Sequence, residues 1–356
     1  MRLSQPLLYR LCSNALQQRM RFGVVVTDDD PLWGGEQGVG DYFVKRFKER
    51  SIRNGNGCGS EFKAIHAVTG KLPDKQDINS YDGFLLTGSH FSVNQKSPWI
   101  RRLEQFIRNA YQASLEHGRP RMVGICFGHQ VIAKALGGVV ASNPDKRFHF
   151  GSADVKVDEA FLSREFANNV SFMKRPKSTI TMMKFHGECV VERPRIALPI
   201  GTSEQCKHEI LMYGNTVLTT QGHPEYTKQA MEEINAKIMS RIGRLSEDQI
   251  RDNLDAIVED DVDNCTDMIS AFLHHVPVEV TQMKKESHSD YIKNEEIDNV
   301  VLSKISQQHN TMKHQNVLNH HQKRQYHNQQ QRKLSAPSSR NSNFFRQVET
   351  GWPSLD

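Results

Sequence analysis

Along the first half of the chain, short apolar runs alternate with stretches in which apolar residues recur every three or four positions. Phe22 to Thr27, Phe62 to Val68, Phe84 to Thr87 and Met122 to Ile125 are too short for helices and are predicted as buried strands. Val39 to Arg50 and Pro98 to His117 carry the helical period, as do Val131, Ile132, Ala135 and Leu136 before Gly137-Gly138 stop the pattern. Alternation of this kind predicts an α/β fold with a mostly parallel sheet and helices on both faces. Between Gly151 and Thr220 the elements shorten and become strand-like, ending in Val217 to Gln221. Met231, Ile234, Ile238, Met239 and Ile242 then make an amphipathic helix that closes the domain. Ile250, Leu254, Ile257, Met268, Ile269 and Phe272 extend a helical region to about residue 276.

From about Gln282 the chain is rich in Gln, Asn, His, Lys and Ser, including His320-His321 and Gln329-Gln330-Gln331, so it is expected to be disordered. The organisation expected is an extension over 1–20, a domain over 21–242, a helical C-terminal extension over 243–276 and a basic tail over 277–356. The 356 residues, 37% hydrophobic and 24% charged, leave room for one sizeable core. The formal charge of +5 says little about that core, because Asn299 to Val348 contains Lys and Arg but no Asp or Glu. The tail could touch nucleic acid, but sparse aromatics and no RNA-binding motif favour a solvated low-complexity segment.

Six cysteines without C-x-x-C or zinc-finger spacing suggest neither a disulfide framework nor a metal site, which fits a reducing compartment. No run is long and apolar enough to span a membrane. Residues 1–20 place Arg2, Arg10 and Arg19 among leucines with no acidic residue. That pattern suits either an organellar transit peptide or a plain extension; the short, serine-poor stretch favours the extension and a cytosolic protein.

The candidate chemistry centres on Gly124-Ile125-Cys126-Phe127-Gly128, where an apolar strand hands over to a helix. Such a turn holds a nucleophile in a strained conformation, lets neighbouring main chain pass close to the glycines, and sets the positive end of a helix dipole at the sulfur. A buried inert core thiol is the competing reading. A thiol nucleophile needs a base and the base needs an orienting group. His223-Pro224-Glu225, at the end of the last strand, offers both: in extended chain the two side chains project to one face, and Pro224 pushes His223 toward the β region. Thr87-Gly88-Ser89, ending the Phe84 strand, supplies a turn at Gly88 and a Ser89 N–H that could join the Phe127 N–H in an oxyanion hole. Asp28-Asp29-Asp30 reads as an acidic loop rather than a metal site, placed where it could meet a substrate amino group, with Trp33 nearby to pack on that substrate.

These motifs together resemble the class I glutamine amidotransferase domain over residues 21–242. The resemblance implies a three-layer flavodoxin-like sheet with a small antiparallel addition and no cofactor. It also implies hydrolysis of a γ-glutamyl amide through a γ-glutamyl thioester on Cys126, with His223 and Glu225 completing the triad and Gln130 contacting substrate. His129 is implied to pack beneath the elbow. Phe185-His186-Gly187-Glu188 matches a loop near the site, with His186 more often structural than in touch with substrate. The spelling Gln-Gly-His-Pro-Glu-Tyr is similar to the stand-alone branch that includes plant γ-glutamyl peptidases. A small γ-glutamyl substrate is therefore the expected partner. The alternatives are a glutaminase subunit feeding ammonia to a partner synthetase, or a regulatory binding module on the same fold. No P-loop and no Ser-Gly-Gly-x-Asp-Ser run accompanies the domain, which weighs against a built-in synthetase.

Overall fold

Strands β1 (Arg21–Val26), β2 (Glu61–His66), β3 (Gly83–Leu86) and β4 (Arg121–Ile125) line up in the order β2-β1-β3-β4, all parallel. The computed structural model describes residues 19–53, 59–162, 164, 166 and 179–275. The expectations for residues 1–18 and for the tail from 277 lie outside them. The remaining strands are β5 (Val139–Ser142), β6 (His149–Val157), β7 (Thr179–His186), β8 (Glu188–Glu192), β9 (Ala197–Thr202), β10 (Ile210–Tyr213) and β11 (Val217–Thr220). Strand β11 joins β4 in parallel, and β10, β9, β6 and β7 continue the same nine-stranded sheet with antiparallel pairings. The antiparallel addition is thus contiguous with the parallel half, and among the described residues β5 and β8 form a separate ribbon.

Two faces follow from the two-residue period of the strands. Phe22, Val24, Val26, Leu85, Val123 and Ile125 point to one side, where helices α1 (Gly35–Arg53) and α6 (Val262–His274) cover them. Val25, Phe84, Leu86 and Met122 point to the other, under α2 (Pro98–His117) and α3 (Phe127–Ala135). Helix α2 has Pro98 in its first turn, where a missing N–H costs nothing, and ends at a left-handed Gly118 whose N–H caps the Ser114 carbonyl. Helices α4 (Ala236–Ile242), which follows a π-type turn over Met231–Asn235, and α5 (Glu247–Asp255) complete this part of the chain.

Helix α6 is a layer of the core. Cys265, Ile269 and Phe272 are fully buried in the cluster that contains Phe22, Phe43 and Phe47. Arg50 of α1 pairs with Asp267 at 2.5 Å and Ser51 bonds Ser270 at 2.9 Å. The segment after 242 therefore completes a face of the sheet that would otherwise lie open, instead of trailing from a finished domain. Among the described residues no helix is long and apolar enough to cross a membrane.

Candidate active site

Strand β4 passes into α3 through Cys126, whose φ of 51° and ψ of −103° lie in a region that residues with side chains rarely occupy. Its neighbours hold it there. The Cys126 N–H donates to the Thr220 carbonyl at 2.8 Å, its carbonyl accepts from Gln130 N–H at 2.9 Å, and the Gly128 N–H donates to Thr87 at 3.1 Å. A Cβ on Gly124 would stand 2.6 Å from the Gly128 carbonyl, so the tightness of the turn excludes a side chain there. The Cys126 thiol is almost wholly buried, 3.9 Å from the Phe185 carbonyl, and receives an N–H from Gln221 Nε2 at 3.6 Å.

His223 arrives from the end of β11, the strand beside β4, and its main-chain N–H donates to Met183 of β7 at 2.9 Å. Its Nδ1–H donates to Glu225 Oε1 at 2.7 Å, with both side chains buried. Among the described residues Nε2 has no hydrogen-bond partner, and the ring and the Cys126 side chain lie against the same residue, Gly88. Burial opposes a charge on this imidazole, but the Glu225 carboxylate and the Cys126 sulfur overcome it and raise the pKa to about 10. The Tyr226 ring lies flat on His223, 4.2 Å between centroids and 5° from parallel, and Trp33 stacks on Tyr226 at 5.4 Å. The short helix that carries Trp33 turns its indole inward, where it buttresses the histidine through Tyr226.

Two helices hold the His-Pro-Glu segment. Tyr42 of α1 donates to the Glu225 carbonyl at 2.8 Å and Thr266 of α6 donates to the Pro224 carbonyl at 2.5 Å. Gly88 lies against both candidate side chains: a Cβ there would sit 2.9 Å from His223 Cε1 and 3.6 Å from Cys126 Cβ. Ser89 Oγ donates to the Thr27 carbonyl at 2.6 Å, and Thr27 Oγ1 bonds Gly88 O at 3.0 Å, so the ends of β1 and β3 are laced together. Phe127 begins α3 with its side chain fully buried, leaving its amide at the helix N-terminus beside Cys126.

Gln130 donates from Nε2 to the Glu188 carbonyl at 2.7 Å and to Gln221 Oε1 at 3.1 Å. It thus orients the amide that reaches Cys126. His129 is sealed beneath the elbow, its Nδ1–H on Thr219 Oγ1 at 2.8 Å, and burial lowers its pKa to about 3. His186 is buried as well, bonded to Asn143 Oδ1 at 3.2 Å and to the Glu188 carbonyl at 3.1 Å, and burial holds it neutral.

The acidic loop divides its work. Asp30 caps the turn that begins at Pro31 and pairs with Arg241. Asp28 accepts from His90 Nδ1 at 2.6 Å, and Asp29 lies 3.7 Å from His90 Nε2. Among the described residues, Asp28, Asp29 and His90 are the group whose spacing could hold a metal ion. The hydrogen bond to Asp28 raises the His90 pKa, which favours the protonated ring over a ligating one.

Three comparisons bear on this arrangement. The profile of the family "Glutamine amidotransferase class-I" matches residues 43–238. "Gamma-glutamyl peptidase 3" of Arabidopsis thaliana is 27% identical over 250 residues, covering 68% of this chain and 91% of that protein. The "Putative glutamine amidotransferase YLR126C" of Saccharomyces cerevisiae is 28% identical over 217 residues, covering 60% of this chain and 81% of that one. A crystal structure of a glutamine amidotransferase from Thermotoga maritima shares the fold with a TM-score of 0.52 at 20% identity, over 72% of this chain and 97% of that one.

Proposed function

The chain belongs to the glutamine amidotransferase class-I family, and we propose that within it this protein hydrolyses γ-glutamyl amide bonds through a thioester on Cys126. The observation that carries the reading is that Cys126 and the buried His223–Glu225 pair both lie against Gly88. The Cys126 thiolate attacks the γ-carbonyl carbon. The Phe127 and Ser89 amides, with Gly88 forming the turn, receive the developing oxyanion, where one such donor is worth about 2.7–4 kcal/mol of barrier. His223, protonated and held by Glu225, passes its proton to the leaving amine as the tetrahedral intermediate collapses to the thioester. Water then enters, His223 removes its proton, and the resulting attack releases the γ-glutamyl acid and restores the thiolate. The Gln221 N–H on Cys126 Sγ favours the anionic sulfur at both ends of the cycle.

Free γ-glutamyl peptides fit this scheme as substrates, a reading supported by the likeness to a plant protein named as a γ-glutamyl peptidase. Purified protein is to be incubated with glutamine and with a panel of γ-glutamyl dipeptides, and products compared with those of Cys126→Ala. Turnover of dipeptides that Cys126→Ala abolishes is expected. Silence toward all of them, relieved only by adding a synthetase, would replace the peptidase with an ammonia-delivering subunit. Failure of a thiol-directed glutamine analogue to label Cys126 would leave a binding module.

A further inference from the structure

Away from Cys126, the ends of β6, β8 and β9 and the turn before β10 border an open cavity of about 900 Å³. Lys156, Arg193, Arg195 and Lys207 line it, four cations against two carboxylates, Asp158 and Glu192. Among its walls is His208, which is only 5% exposed and whose Nδ1 has no partner among the described residues. A buried imidazole nitrogen left unpaired costs free energy unless something outside the protein meets it. Lys207 and Arg193 line the same pocket as His208, and after burial their charges lower its pKa further.

We infer that this cavity is a second ligand site and that it takes a small molecule bearing phosphate groups. Guanidinium groups match phosphate oxygens in a planar fork, and Arg193 and Arg195 supply two of them. Arg193 spends one nitrogen, Nη1, on the Ala197 and Pro194 carbonyls at 2.5 and 3.4 Å, which anchors it and leaves its other donors for the ligand. Four cations against two carboxylates leave the lining net positive, which a ligand with more than one negative charge complements. The volume suits a drug- or nucleotide-sized molecule, larger than free phosphate, and Val157 and Ile200 in the wall give its apolar part a surface. The site does not depend on the chemistry at Cys126.

The test is calorimetric titration of the full chain with ADP and with inorganic pyrophosphate, and in parallel with glutamate and citrate. Arg193→Gln/Arg195→Gln is expected to weaken ADP binding at least about tenfold, the loss of two charge-assisted contacts. Lys156→Gln/Lys207→Gln, both exposed side chains, is expected to weaken it in the same direction and covers the case in which the arginine pair fails to fold. Arg332→Gln/Lys333→Gln in the basic tail should leave it unchanged. No ADP binding to the parent overturns the proposal, as does equal affinity in parent and cavity variants, or loss of binding only when the tail is neutralised. Glutamate or citrate binding as tightly as ADP overturns the phosphate assignment.

Discussion

Gly88→Ala adds one methyl group at the point where the Cys126 and His223 side chains approach each other. The new Cβ would stand 2.9 Å from His223 Cε1 and 3.6 Å from both Cys126 Cβ and His223 Nδ1. Carbon atoms in contact prefer about 3.5–4.0 Å, so the ring must retreat by roughly 0.6 Å or more. It has little room: Nδ1 is held by Glu225 at 2.7 Å, one face is pressed on Tyr226 at 4.2 Å, and the main chain is tied to Met183 at 2.9 Å. A misplacement on the order of 1 Å at a reacting centre costs on the order of 100-fold in rate, so a loss of about 10- to 100-fold in kcat is expected. The backbone should tolerate the change, because Gly88 is not among the residues with positive φ. The assay is steady-state hydrolysis of a chromogenic γ-glutamyl anilide, paired with a thermal melt. Parent-like kcat in a folded Gly88→Ala protein would refute the placement of His223 against Cys126.

Other perturbations separate charge, packing and support. The His223 pKa of about 10 is raised against burial first by Glu225 and then by Cys126, so Glu225→Gln should bring it down toward or below the ordinary 6.5. With the group raised in the folded state, its stabilising contribution is full below 6.5 and lost as pH rises through about 10. The alkaline limb of kcat/KM should therefore move to lower pH in Glu225→Gln, and an unmoved limb in the pH–rate profile would count against the pair. Lys184 and Glu209 form an ion pair of 2.5 Å with both side chains buried. Lys184→Met is expected to cost about 3–5 kcal/mol by stranding a charge, most of it recovered in Lys184→Met/Glu209→Leu; urea unfolding that shows no such recovery contradicts this. Thr266→Val removes the hydroxyl that reaches the Pro224 carbonyl from α6. A stability loss of about 1–3 kcal/mol and a lower kcat at unchanged KM are expected, checked by denaturation and steady-state kinetics.

The parts of this site that could be read from sequence are those with local causes. A glycine-flanked cysteine between a strand and a helix, and a histidine two residues before a glutamate, carry their geometry within a few residues. The sheet-and-helix alternation was equally legible, because each strand's apolar run declares its burial. What lay beyond reach depends on which strands become neighbours. Gln221 adjoins the His-Pro-Glu motif in sequence, yet its amide meets Cys126 only because Thr220 of β11 pairs with Ile125 of β4. Tyr42 and Thr266 brace the same short segment from helices on either side of it in the chain. The periodicity of Met268, Ile269 and Phe272 announced an apolar helical face but not what it covers, so α6 read as an extension when it is a wall of the core. Tyr226 and Trp33 form one continuous stack with His223, which no spacing rule encodes.

The proposed hydrolysis requires that Cys126 become acylated by the γ-glutamyl group. Mixing the protein with a γ-glutamyl dipeptide, quenching in acid and digesting for peptide mass analysis tests it directly. A peptide containing Cys126 that is heavier by one γ-glutamyl group, sensitive to hydroxylamine and absent from Cys126→Ala is expected. A Cys126→Ala protein that still releases the amine at the parent's rate would contradict it.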